Sequence, residues 1–221
     1  MLTLGIDDAG RGPVIGDMFM AGVIIDEETE AEFKAKGVKD SKKLTDYRRE
    51  ILAEVVKAKA MSHEVLSSTP AEIDSGINLN TLEAQKAGEI INLIDKKTQG
   101  LENIKVVVDC PSQNIEAWKK TLLSYVNNPK KFHFFIEHKA DANHIACSAA
   151  SILAKSSREK HVAELKKKLG VDFGSGYSSD PVTCKFLQDY SKKHEKDGIF
   201  RKTWQTWKDV CNSKKQKKLE L

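Results

Sequence analysis

Nothing in the 221-residue chain approaches the ~18 consecutive apolar residues of a transmembrane helix. The first residues also lack a basic stretch followed by an apolar leader, so a cytoplasmic protein is the default expectation. Cysteine is scarce. Cys110, Cys147, Cys184 and Cys211 lie far apart with no Cys-x-x-Cys pair, which excludes the usual zinc spacing and a small disulfide framework. They read as neutral thiols that pack like small hydrophobes. There is no internal repeat, and the only biased segment is the lysine-rich end.

What is present suits a globular domain: 40% hydrophobic and 31% charged residues over a length typical of one sizeable domain with a small appendage. The net charge is +4, and residues 201–221 alone carry more than all of it, with seven lysines and arginines against Asp209 and Glu220. A basic tail on a near-neutral body points to a polyanionic partner, or to a solvated end that aids solubility. No exposed apolar stripe argues against a monomer.

Apolar runs at 2–6, 18–25 and 104–109 and the aromatic run at 132–136 read as strands, with a weaker one at 62–68. Helical patterning covers 46–59 behind Thr45 as N-cap, then 79–97, 114–126, 144–168, 182–193 and 204–210. Strands lead and helices interleave, so the class is α/β with a mixed central β-sheet flanked by helices. A catalytic domain over 1–170 and a small C-terminal helical region over 171–221 are expected.

Carboxylates recur where these strands end: Asp7 and Asp8 after the first, Asp109 after the clearest, and Asp141 in the polar turn after the aromatic one. Strand ends are where ligands gather in open α/β sheets. Four acids on one patch would resist ionising together, so convergence implies metal, and oxygen-only ligands favour magnesium or manganese over zinc. Gly10-Arg11-Gly12 follows at once, where bare backbone lets a phosphate-bearing group come close. With Gly16 it also resembles a dinucleotide-binding turn. That turn should open a helix, however, and here it runs into a strand.

The run Gly5-Ile6-Asp7-Asp8-Ala9-Gly10-Arg11-Gly12-Pro13 resembles the signature of ribonuclease HII, the type 2 ribonuclease H family. Further matches follow in order: Asp40-Ser41-Lys42-Lys43-Leu44, Val107-Val108-Asp109, His138-Lys139-Ala140-Asp141, Ser148-Ala149-Ala150-Ser151-Ile152, and the loop from Gly174-Ser175-Gly176-Tyr177 to Pro181. Arg201-Lys202-Thr203-Trp204 is similar to an element of archaeal-type members. The resemblance implies a ribonuclease H-like fold. It also implies endonucleolytic cutting of RNA in RNA–DNA hybrids and at ribonucleotides embedded in duplex DNA, leaving 3′-hydroxyl and 5′-phosphate ends.

By the same resemblance Asp7, Asp8, Asp109 and Asp141 are catalytic and hold two Mg2+ or Mn2+ ions. Gly10, Arg11 and Gly12 would read the ribose 2′-hydroxyl and its phosphate, Tyr177 would stack on the deoxyribose beyond it, and Lys42 would lie near the phosphates. Asp8 departs from the pattern, which has glutamate there. A ligand displaced by ~1 Å can cost ~100-fold in rate. The alternative reading is therefore a hybrid-binding protein with weak or no catalysis. Asp17, Met18 and Phe19 also replace more usual residues, with a mild effect expected. His138 reads as a turn histidine, or one that assists Asp141; the other histidines show no ligand spacing. The end, Gln216-Lys217-Lys218-Leu219, begins like a sliding-clamp peptide but lacks its aromatic pair.

Overall fold

The computed structural model describes residues 1–39 and 44–219, with side chains given as far as Asn212. Lys42 and the side chains of the 216–219 tail therefore lie outside the described residues. The chain forms two compact units. The first comprises Met1–Ala9, Phe19–Ser67 and Asn78–Ser157; the second comprises Gly10–Met18, Ser68–Ile77 and Arg158–Leu221.

The described residues of the first unit build a mixed five-stranded sheet in the order β3-β2-β1-β4-β5. Its strands are β1 (Thr3–Ala9), β2 (Met18–Ile25), β3 (Ser62–Ser68), β4 (Ile104–Asp109) and β5 (Phe132–Glu137). Strand β1 runs antiparallel to β2 and parallel to β4, and β4 runs parallel to β5. Alternation along β1 sends Leu4 and Ile6 to one face, where they meet α4 (Leu79–Lys97) and α5 (Ile115–Ser124) through Ile90, Ile91, Trp118 and Leu122. The other face carries α1 (Glu27–Lys36), α2 (Asp46–Lys59) and the start of α7 (Ile145–Leu169), packed through Phe33, Leu52, Val56, Ala149 and Leu153.

The small residues that open α7 have a physical reason. A Cβ on Gly5 would stand 2.1 Å from the Ala146 carbonyl carbon, so helix backbone lies directly on strand backbone. Only Gly5 in β1 and a run of Ala and Ser in α7 allow that approach. It brings the hydroxyl of Ser151 within hydrogen-bonding reach of Asp7. The cysteines are all free: Cys110 and Cys147 are buried and Cys184 and Cys211 half-buried.

The second unit has its own core of Val14, Ile15, Phe173, Phe186, Leu187, Ile199, Phe200 and Trp207. Residues 14–16 are threaded into it by backbone bonds: Val14 N to Gly176 O, Gly16 N to Ile199 O and Arg201 N to Val14 O, at 2.8, 2.8 and 2.9 Å. Helices α8 (Pro181–Tyr190) and α9 (Gln205–Leu219) complete it. The short α3 (Pro70–Ile73) ends on Asp74, whose carboxylate accepts from Lys202 N, Thr203 N and the Thr203 hydroxyl. That cap fixes the turn that follows Arg201.

Candidate active site

Parallel pairing places the acids. Ile6 is level with Val108, so Asp7 and Asp109 each follow at the same step of neighbouring strands. Asp141 enters from the first turn of α6 (Ala140–Asn143), just after β5 rather than at the strand end itself. Carboxylate oxygens of Asp7, Asp109 and Asp141 all come within 4.8 Å of one another. Asp7 and Asp141 are buried, at 6% and 5% exposure. The frame is tied from several sides: Asp8 N donates to Asp7 Oδ1, Lys139 N to Asp109 Oδ1, and the Ser148 hydroxyl to Asp141 O. His138 joins the ends of β4 and β5 through a 3.0 Å contact between its Nδ1 and Cys110 O.

Burial holds the Asp7 carboxyl well above the ordinary carboxylate range, and the like charges of Asp8 and then Asp109 push the same way. The Cys147 thiol is likewise raised, first by burial and then by Asp7, which keeps it a neutral thiol donating to Val107 O. Asp8 does not join the group of three. Strand alternation turns its side chain to the opposite face from Asp7, and it has one methylene fewer with which to reach back. It acts on Asp7 as a neighbouring negative charge.

The residues present fit a hard divalent cation. The three donors are all oxygen, two of them are buried, and Asp7 is in an environment that penalises its charge until a cation joins it.

In the second unit, Gly10 takes a φ of +85°, open to glycine without strain, and Gly12 leaves room for the Tyr177 ring 3.3 Å from where a Cβ would stand. The fully buried Arg201 grips this turn from within. Its Nη2 donates to Gly10 O at 2.7 Å, Nη1 to Arg11 O at 2.8 Å and Nε to Gly16 O at 3.0 Å. Trp204 Nε1 donates to Gly12 O at 3.1 Å. Every carbonyl of residues 10–12 is thus engaged by a donor, so an anionic group approaching the turn does not meet unpaired carbonyl oxygens. The loop carrying Tyr177 is equally braced. The Asp180 carboxylate accepts from Ser175 N and Val182 N, which hold its pKa down to about 2, and Thr183 Oγ1 bridges Gly176 N and Phe173 O. Tyr177 itself is 37% exposed.

Sequence reasoning assigned no role to Arg201, Trp204, Arg158 or Asp74. Their partners lie up to 192 residues away, and no local pattern carries such a pairing.

A mixed sheet in this strand order, with acids from β1, β4 and the turn after β5 gathered at one place, defines an α/β protein of the ribonuclease H-like fold. The chain belongs to the ribonuclease HII family, whose model matches residues 4–207. It is 38% identical to ribonuclease HII of Methanocaldococcus jannaschii over 99% of both chains. It is also similar to the solved ribonuclease H2 of Pyrococcus horikoshii, with a TM-score of 0.84 and 36% identity over 95% of this chain and 97% of that one. A third likeness is to a chain in the PCNA:RNase HII complex from Archaeoglobus fulgidus, with a TM-score of 0.80 and 34% identity over 94% and 96%. The protein is accordingly an enzyme, a metal-dependent ribonuclease H hydrolase. No helix of the described residues is long and apolar enough to cross a membrane.

Proposed function

We propose that this protein cuts the RNA strand of RNA–DNA hybrids and single ribonucleotides embedded in duplex DNA, leaving 3′-hydroxyl and 5′-phosphate ends. The observation that carries the reading is the meeting of Asp7, Asp109 and Asp141 within 4.8 Å. These residues would hold two Mg2+ or Mn2+ ions, with Asp8 engaged through water from outside the group of three. When bound, such ions acidify a water and offset charge on a phosphodiester. Asp7 and Asp141, buried, keep water out on the protein side, while Lys139 N and Asp8 N hold the Asp109 and Asp7 oxygens in place.

Recognition falls to the Gly10–Gly12 turn and the Tyr177 ring. The 2′-hydroxyl is the group that separates RNA from DNA, and close backbone approach to it requires residues without side chains. Arg11 supplies a charge for the neighbouring phosphate. The flat face of Tyr177 suits a sugar or base of any sequence, so cutting is sequence-independent. Lys42 serves the phosphates in the same reading. The protein works as a cytoplasmic monomer.

One observation favours a second reading. Asp8 stands outside the group of three, as a hybrid-binding protein with weak catalysis would have it. Three duplexes decide between the readings: one with a single ribonucleotide, one a uniform hybrid and one all DNA, each incubated with Mg2+ and with Mn2+. Cutting of the first two and not the third is expected. Tight binding without cutting in either metal would establish the second reading instead.

A sliding clamp is a further proposed partner. The Archaeoglobus fulgidus relative is seen with PCNA, and here the segment Gln216-Lys217-Lys218-Leu219 begins as clamp peptides do. Clamp pull-down should recover the full chain several-fold better than a chain ending at Asn212. Equal recovery removes the proposal.

A further inference from the structure

Arg158 is the residue on which the two recognition elements of the second unit meet. Its guanidinium carbon lies 5.0 Å from the centroid of the Tyr177 ring, within cation–π distance. Its Nη2 donates to Ser175 O at 2.6 Å, two residues before Tyr177, so ring and loop backbone are held by one group. On its other side the stem runs along the glycine turn. A Cβ on Gly10 would stand 2.7 Å from Arg158 Cδ and 3.0 Å from its Nε.

The placement is not one that a solubilising arginine would adopt. Arg158 Nε is buried with no hydrogen-bond partner, which an exposed side chain would avoid by turning to water. The guanidinium also stands close enough to the buried Arg201 to repel it. Together with burial, that repulsion draws the Arg201 pKa down to about 10. Asp17 and Asp74 act on Arg201 in the opposite sense, and Asp17 is itself 3.4 Å from His161. Two arginines held at this expense are there for what they hold. Arg201 holds the turn from within, and Arg158 is the strut between that turn and the Tyr177 loop.

We infer that Arg158 is a positioning residue for substrate selection: it fixes the tilt of the Tyr177 ring against the Gly10–Gly12 turn, and so sets the preference for a ribonucleotide followed by DNA over an unbroken RNA strand. The inference rests on the recognition roles proposed above for Tyr177 and the glycine turn. Arg158 acts through the ring. A phosphate contact of its own would make it a binding residue instead.

A double-mutant cycle separates the two roles. Arg158→Met, Tyr177→Ala and the double variant are compared by the ratio of cutting rates on a single-ribonucleotide duplex and on a uniform hybrid. Arg158→Met is expected to lower that ratio about tenfold, the scale set by one cation–π contact and one charged hydrogen bond. In the double variant the loss should equal that of Tyr177→Ala alone, because a strut without its ring has nothing to position. The salt dependence of binding should keep its slope. Multiplying losses, or a slope reduced by about one unit, would overturn the inference in favour of a direct phosphate contact. Arg158→Lys keeps a cation near the ring but not the forked geometry, and should recover part of the ratio while melting as the wild type does. An unchanged ratio in both Arg158 variants, where the wild type cuts both duplexes, would also overturn the inference. A wild type that cuts neither duplex would instead refute the proposed function itself.

Discussion

Asp109→Asn is expected to lower the cutting rate at least ~1,000-fold while leaving the fold intact, because the change removes a charge and almost nothing else. The asparagine keeps an Oδ1 to accept from Lys139 N, the 2.8 Å bond that anchors the turn before Asp141. Without a metal ion, three carboxylates within 4.8 Å repel one another, so losing one charge relieves the native state. In chelator the variant should therefore melt at or slightly above the wild-type temperature.

The metal response is the sharper readout. An ion bound only by the folded chain stabilises it by about 2.7 kcal/mol at a hundredfold excess over its dissociation constant. For a chain of this size that is a rise of roughly 5–10 °C. Wild type should show such a rise with Mn2+, and Asp109→Asn should lose most of it. The pH dependence has a definite sign. Asp7 is held above the ordinary carboxylate range, so the metal-free folded chain keeps a proton that the unfolded chain has released. That contribution favours folding at acid pH and fades as the pH rises through the raised value. A cation competes with the same proton, so the metal-induced rise should grow with pH across that window. Retained cutting by Asp109→Asn, or an equal Mn2+ shift in both proteins, would refute the site.

The parts of this site that a reader of the sequence can find are those whose cause is local. Ile104–Asp109 is β-branched and ends on an acid, so both the strand and its terminal carboxylate are visible at once. Thr45 caps α2 by accepting from Arg48 N, as its place before an apolar period implies. By contrast α1 buries Phe33 alone among its ten residues, so no apolar period announces it. Likewise α9 extends through a lysine-rich stretch whose composition says nothing about its length. The second unit draws on three separated segments, and its defining contacts join residues 10–16 to residues 176–204. Asp8 shows the same limit at close range. The sequence puts it next to Asp7, and the pleat of β1 turns it away.

Arg201 is where that long-range logic has its largest consequence. Three carbonyls, those of Gly10, Arg11 and Gly16, share one fully buried guanidinium, and Asp74 braces the residues that follow it. Replacing Arg201 with methionine leaves those carbonyls without their donor at about 1–3 kcal/mol for each one that water cannot reach. A loss of about 3–5 kcal/mol is expected, equivalent to roughly 10 °C in melting temperature. Lysine does not repair the site, for two reasons. A single ammonium lacks the planar fork that reaches three acceptors at once. It also begins from a lower pKa than arginine, and the burial and Arg158 repulsion that bring Arg201 to about 10 would drive a lysine further down and weaken its charge. Arg201→Lys should therefore lose most of the stability that Arg201→Met loses. It should also bind a single-ribonucleotide duplex at least tenfold more weakly, since the turn no longer holds its shape. The Mn2+-induced rise in melting temperature should survive, because Asp7, Asp109 and Asp141 are built on the sheet of the other unit. Wild-type melting and wild-type cutting in Arg201→Lys would show that the turn keeps its shape without the clamp.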